Sequence, residues 1–307
     1  MRYNMKLNFD QIKELTVGAV NVEKQDDGIR FYKMQKCQID AFYALSDILG
    51  FRAETTTGIR LDFETDSKYL AFDIKKGNRF EYFIDGVYQG TLESPRIELN
   101  APCRITLVFP SHDVGVIDNV ELSDGASVTR HKFDRKILFI GDSITQGWNS
   151  GIDTLSYAWR TSMALNADSV IQGVGGAYYH ASTFADSGFD PETVIVAYGT
   201  NDVHHFKTKE DMTEQLRLYL GKVKETYKKS KIYAISPIWV SGGSEEMRMG
   251  NLWECYELIA KEIEALGIEH IRGLDLVPHD PKFFADALHP NAYGFGEYAE
   301  NLVKIIG

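Results

Sequence analysis

An apolar run, Lys136-Ile137-Leu138-Phe139-Ile140, ends abruptly at Gly141-Asp142-Ser143. It reads as a buried strand that delivers a serine to the start of a turn or helix. There the hydroxyl is exposed, and the serine's own N–H has no partner inside the helix. One residue can then supply both a nucleophile and a donor to the oxyanion it creates. A base stands near the other end of the chain, in Asp286-Ala287-Leu288-His289-Pro290. A carboxylate at this spacing ahead of a histidine can reach one imidazole nitrogen and fix the tautomer, leaving the other nitrogen for Ser143. Val194-Ile195-Val196-Ala197 is another strand, and it ends in the polar cluster Tyr198-Gly199-Thr200-Asn201-Asp202. The Asn201 amide can donate to a developing oxyanion. Val170-Ile171-Gln172 runs into the glycine-rich turn Gly173-Val174-Gly175-Gly176, where bare backbone N–H groups can approach a ligand. Together these residues can carry out acyl transfer from an ester to water, a reaction that needs no cofactor or metal.

The chain order Ser, Asp, His matches that of α/β hydrolases, but Gly141-Asp142-Ser143-Ile144-Thr145 lacks the second glycine of their nucleophile elbow. The four segments instead resemble the four sequence blocks of the SGNH, or GDSL-type, hydrolases. The nucleophile block is Gly141-Asp142-Ser143, the Gly-x-Asn-Asp block is Gly199 to Asp202, and the Asp-x-x-His block is Asp286 to His289. Matching Gly-x-x-Gly to Gly173–Gly176 makes Gly176 the oxyanion glycine by this resemblance. Gln172 departs from the asparagine that many relatives carry before the turn. The resemblance implies Ser143, Asp286 and His289 as catalytic residues, with Ser143, Gly176 and Asn201 forming the oxyanion hole. It covers the C-terminal half of the chain.

Around these residues other roles compete. Asp142 is expected to brace the turn through local backbone bonds, and Asp202 to be structural rather than an acid. His180, His204, His205 and His279 with Asp286 would make a metal site only against geometry, because adjacent histidines point in different directions. No metal is expected. Trp148 follows the nucleophile, and Tyr178 and Tyr179 follow the glycine turn. These three could wall an acyl pocket or stack on a sugar, while most other aromatics serve as packing. The glycine-containing loop from Ser241 to Met249 is a candidate cover for the site.

These residues need elements to position them. From Lys136 onward, strand patterns at 136–140, 169–172, 193–197, 231–236 and 268–271 alternate with helix patterns at 155–166, 209–229, 251–266 and 292–305. That alternation predicts a parallel sheet with helices on both faces and a site beyond the carboxyl ends of the strands. The first 130 or so residues read differently. Strands at 58–64, 69–74, 104–109 and 114–122, and a hairpin at 80–92 turning on Asp85-Gly86, indicate a β-sandwich or jelly roll. A short helix near 39–49 interrupts them, and the polar stretch Ser123–Ser127 separates the halves. The expected fold is therefore α/β: an all-β, jelly-roll-like sandwich over 1–130, then a three-layer α/β/α SGNH hydrolase domain over 131–307.

Composition bounds the partners. A net charge of -11 over 307 residues disfavours nucleic acid and anionic lipid. No apolar run approaches membrane-spanning length, and residues 1–10 do not read as a signal peptide. Cys37, Cys103 and Cys255 are odd in number and widely spaced, so buried free thiols in a cytoplasmic protein are expected. The expected activity is a serine esterase acting on short-chain, acetyl above all, esters of small molecules or oligosaccharides. A β-sandwich ahead of such a domain resembles two-domain carbohydrate esterases. The alternatives are a lysophospholipase or thioesterase, and a carbohydrate-binding protein with a vestigial hydrolase site. The first domain would bind substrate, cover the site or hold a homo-oligomer together.

Overall fold

The computed structural model describes residues 4–245 and 248–307. The chain divides into two compact units, and the division is not a single cut. One unit takes the described residues up to Met34 together with Glu54–Phe133, and the other takes Gln35–Ala53 together with Asp134–Gly307.

The first unit is a sandwich of two antiparallel sheets. One runs in the order Asn21–Gln25, Gly28–Tyr32, Val116–Ser123, Tyr69–Lys76, Arg96–Glu98, with Asn4–Lys6 also on Val116–Ser123. The other runs Val128–Arg130, Arg60–Thr65, Cys103–Val108, Glu81–Ile84, Val87–Thr91, with Thr16–Val17 also on Arg60–Thr65. Alternating residues turn inward from each sheet, so Leu61, Phe63, Ile105 and Leu107 share one core with Phe31, Leu70, Ile117 and Leu122. The hairpin turns on Asp85 and Gly86 at φ 50° and 77°, the positive values that such a two-residue turn requires. The sandwich, its hairpin and the four other foreseen strands all form. The N-terminal strands and the helix Phe9–Leu15 carried no comparable alternation in the sequence.

The second unit is built on five parallel strands: β1 (Arg135–Gly141), β2 (Ala167–Gly173), β3 (Thr193–Ala197), β4 (Lys231–Ile235) and β5 (Glu269–Ile271). Their order across the sheet is β2-β1-β3-β4-β5. The chain therefore steps to one edge after β1 and returns past it to reach β3. This reversal opens a crevice beyond the carboxyl ends of the strands beside β1. Gly141 pairs with both Gly173 and Ala197, so three of the four motif segments leave the sheet at one level. Helices Tyr157–Ala164 and Ala292–Ile306 pack together, as do Lys209–Thr226 and Leu252–Ala265. Ile137, Phe139, Ile171 and Ile195 bury against the first helix pair through Tyr157, Ala158, Phe295 and Tyr298. The result is the three-layer α/β/α arrangement anticipated from the alternation of elements, and all five strands and four helices lie within a few residues of their expected bounds.

Two further helices, Lys36–Leu45 and Asp47–Glu54, come from the stretch that leaves the sandwich. Gln38 Nε2 bonds Thr183 O and Gln172 Oε1, both at 3.4 Å. Gln35 Nε2 bonds Ser187 O at 2.7 Å. Cys103 and Cys255 are buried free thiols, whereas Cys37, in the first turn of Lys36–Leu45, is exposed. Among the described residues no helix is long and apolar enough to cross a membrane.

Candidate active site

β1 ends at Gly141, and Asp142 after it caps a one-turn helix, Ser143–Gln146, by accepting from Ile144 N at 2.9 Å. Ser143 opens that helix, so its N–H lies outside the intrahelical bonding. Gly147, at φ 89°, closes the turn. Below, Thr145 Oγ1 bonds Tyr157 Oη at 2.8 Å, and Tyr157 stacks on Tyr298 with ring centroids 4.0 Å apart. The nucleophile turn is thus pinned to the first helix pair. On its other side it rests on β2, where a Cβ on Gly173 would stand 2.5 Å from Gln146 N. Only a glycine lets strand and turn come this close.

The Asp286–His289 loop is a tight closure. Phe284 and Pro290 form a bridge, and Ala285 N bonds His289 O at 2.9 Å. Asp286 Oδ1 accepts from the N–H groups of Leu288 and His289, both at 2.7 Å. Its Oδ2 meets His289 Nδ1 at 2.9 Å and accepts from Asn149 Nδ2 at 2.7 Å. Burial acts to raise the Asp286 carboxyl, but the His289 N–H, the His289 ring and the Leu288 N–H outweigh it and hold it below the ordinary carboxylate value. His289 Nε2 lies 2.9 Å from Ser143 Oγ. Carboxylate, imidazole and hydroxyl therefore form one hydrogen-bonded line, in which the imidazole can take the serine proton and the carboxylate can stabilise the imidazolium.

Asn201 begins the short helix Asp202–His205 after β3. Its amide donates to Ala177 O at 2.9 Å and to Asp142 Oδ2 at 3.3 Å, which brings it to the nucleophile turn. Gly176 adopts φ +84° in the partly exposed loop after β2. Trp148 stacks on His289, with centroids 6.3 Å apart. Tyr178 is half-buried and stacks on His205 at 4.0 Å. Tyr179 is buried instead, in edge contact with Tyr198 and Tyr219, because successive residues of an extended segment point to opposite sides. His180 bonds Ser182, and His279 bonds Leu274 O and stacks on Trp239. Among the described residues no three His, Cys, Asp or Glu side chains gather as metal ligands. The base of the candidate cover loop is joined to the Asp286–His289 loop by Ser241 N to Ala287 O at 3.2 Å, while Glu246 and Met247 of that loop lie outside the described residues.

One contributor was not singled out in the sequence. Arg52 lies at the end of Asp47–Glu54, with its guanidinium 4.6 Å from the centroid of the Trp148 ring. Its Nη1 donates to Gly175 O at 2.8 Å.

Two buried carboxyls lie behind the site. Burial pushes Asp142 up to about 7, against the pull of the Ile144 N–H. Burial likewise pushes Asp202 up to about 7; the Tyr179 N–H works against this and the Asp142 charge with it. Asp202 Oδ1 accepts from Tyr179 N at 3.1 Å, and its buried Oδ2 has no hydrogen-bond partner among the described residues. The folded protein keeps protons that the unfolded chain releases above the ordinary value of 3.8. The stability they confer is full below that value and is lost as pH rises through about 7. Each group contributes of the order of a few kcal/mol to this slope. Thermal melts from about pH 4.5 to about pH 8 should show the midpoint falling, and Asp202→Asn should flatten the fall. An equally steep fall in that variant would show that Asp202 does not hold a proton in the fold.

The sequence model of the family described as GDSL-like Lipase/Acylhydrolase matches residues 139–295. No curated protein sequence matches the chain. Among solved structures the chain is similar to a salicylyl-acyltransferase, SsfX3, from a tetracycline biosynthetic pathway. The identity is 17%, over 97% of this chain and 95% of that one, with a TM-score of 0.80. It is also similar to a family two carbohydrate esterase from Cellvibrio japonicus, at 16% identity over 100% of this chain and 98% of that one, with a TM-score of 0.70. An acetyl xylan esterase from the rumen bacterium Butyrivibrio proteoclasticus gives 16% identity, 99% and 97% coverage and a TM-score of 0.64. At these identities the likeness is one of fold, and it extends over both units of the chain.

Proposed function

We propose, since the chain belongs to the GDSL-like lipase/acylhydrolase family, that it is a serine esterase removing short acyl groups, acetyl above all, from carbohydrate esters. The observation that carries this reading is the line Asp286–His289–Ser143, with 2.9 Å at each of its two side-chain links. His289 Nε2 takes the proton from Ser143 Oγ as that oxygen bonds the ester carbonyl carbon. The tetrahedral oxyanion accepts from the N–H groups of Ser143 and Gly176 and from the Asn201 amide, which gives up its 3.3 Å bond to Asp142 to do so. On collapse the C–O bond to the sugar breaks, and His289 returns the proton to the departing alcohol. Water then attacks the acyl-serine, gives its proton to His289, and the acid leaves with Ser143 restored.

Two features support a small, polar substrate. Trp148 stacks on the reacting histidine with Arg52 over its ring, and Tyr178 offers a half-buried ring two residues past Gly176. The family two carbohydrate esterase and the acetyl xylan esterase that share the fold are named for sugar ester substrates.

The test is hydrolysis of p-nitrophenyl esters of increasing acyl length, wild type against Ser143→Ala, followed by acetylated xylo- and cello-oligosaccharides. We expect acetate to be fastest, with kcat/KM falling about tenfold or more by the octanoate ester, as in a site too small to admit the longer chain. Rates that rise with chain length would favour a lysophospholipase or thioesterase. Glycan binding without turnover of any ester would favour a binding protein with a vestigial site.

A further inference from the structure

The peptide that joins Gly175 to Gly176 carries the Gly176 N–H. In a trans peptide the carbonyl and the N–H point in opposite directions, so whatever holds Gly175 O also aims Gly176 N. That carbonyl is held by Arg52 Nη1 at 2.8 Å. The neighbouring groups are held as well. Gly175 N donates to Gln146 Oε1 at 2.7 Å, an oxygen that also takes Trp148 Nε1 at 3.1 Å. Ala177 O accepts from Asn201 Nδ2 at 2.9 Å. Two carbonyls of this turn, those of Gly175 and Ala177, are thus each fixed by a side-chain donor. Arg52 acts on the one whose peptide carries the Gly176 N–H.

The guanidinium is itself held in place. It lies 4.6 Å over the Trp148 ring, and Trp148 stacks in turn on His289. A Cβ added to Gly176 would come within 3.2 Å of Arg52 Nη1 and 3.5 Å of Leu49 Cδ2. Burial lowers Arg52 from its ordinary value, yet a guanidinium keeps its charge at any pH the protein meets. A cation donating to a carbonyl makes a strong, charge-assisted bond, and it polarises the whole peptide so that the N–H at the far end becomes a better donor.

We infer that Arg52 is a positioning residue of the oxyanion hole: it aims and polarises the Gly175–Gly176 peptide so that the Gly176 N–H meets the oxyanion already aligned. The inference rests on the serine-esterase reading. Since the aligned N–H is used most in the transition state, losing its support should act on kcat and leave KM nearly unchanged.

Three measurements on Arg52→Ala and Arg52→Lys test this. With p-nitrophenyl acetate, Arg52→Ala should lower kcat about 10- to 100-fold, part of what losing a whole oxyanion donor costs, with KM within about twofold. Inhibition by methylboronic acid, whose tetrahedral adduct on Ser143 places an oxygen at the oxyanion position, should weaken by a similar factor. Arg52→Lys should recover part of the loss, as should added guanidinium ion with Arg52→Ala. A kcat within about twofold of wild type, or a loss confined to KM, would overturn the inference. Should Arg52→Ala not fold, Arg52→Lys and Arg52→Gln supply the same kcat and boronate comparison. A fluorophosphonate, which phosphonylates Ser143 Oγ with loss of fluoride, separates the two levels. Wild type left unlabelled at Ser143 would sink the serine-esterase reading and this inference with it. Wild type and Arg52→Ala labelled at equal rates would sink the inference alone.

Discussion

Alanine at Ser143 or at His289 will lower kcat/KM for p-nitrophenyl acetate by about 10⁴-fold or more, and combining the two will cost no more than either one. The argument is mechanical. Ser143 Oγ and His289 Nε2 are 2.9 Å apart and act on one proton, so removing either leaves the other with nothing to do. A residual rate above that of water should survive in both, because neither substitution removes the proposed oxyanion donors. Asp286→Asn should be milder than either. The Asp286 side chain is 44% exposed and the His289 side chain 15%, so water can replace part of what the carboxylate does while the ring stays in place. Steady-state rates will check all four variants, with active-site titration for the wild type and Asp286→Asn. Additive losses in Ser143→Ala/His289→Ala would mean that the two residues do not work as one unit.

Gly173→Ala is the second large effect, and it comes from a single methyl group. The added Cβ would stand 2.5 Å from Gln146 N, 2.7 Å from Gln146 Cα and 2.8 Å from Thr145 C. All three are backbone atoms, so no rotamer change relieves the contact. Either the end of β2 or the Ser143 turn must move. Overpacking of this kind typically costs about 1–3 kcal/mol, and with backbone on both sides the upper end applies. The melting midpoint should fall by about 5–10 °C. Ser143 rides on the displaced turn, and about 1 Å of misplacement is worth ~10²-fold in rate. Calorimetry and kcat on the same preparation would measure both. A variant as stable and as fast as wild type would mean that the turn has slack that the contact distances deny.

What the sequence made legible was whatever repeats or sits at a strand end. β1, β2 and β3 announce themselves by apolar runs that break at glycine, and the residues past the breaks converge because Gly141, Gly173 and Ala197 lie in register. Asp286 and His289 were legible because their separation is itself a geometry. Arg52 had no such signal. It is one arginine in a short helix, and its partner Gly175 is 123 residues away. Tyr178 and Tyr179 are adjacent and alike in type, and only the backbone direction after Gly176 decides that one ring lies half-buried against His205 and the other enters the core. The pairing of residues 35–53 with the second unit was equally hidden, since amphipathic helices carry no label for the sheet they will cover.

That borrowed stretch has a consequence for how the protein is made. Residues 35–53 leave the ribosome long before residue 134, yet their compact unit is completed only by Asp134–Gly307. The sandwich can close around a looped-out excursion, while two helices wait for their sheet to be synthesised. The enzyme is therefore not a catalytic module with an accessory in front of it. Cutting at residue 134 would strand Arg52 with the wrong fragment.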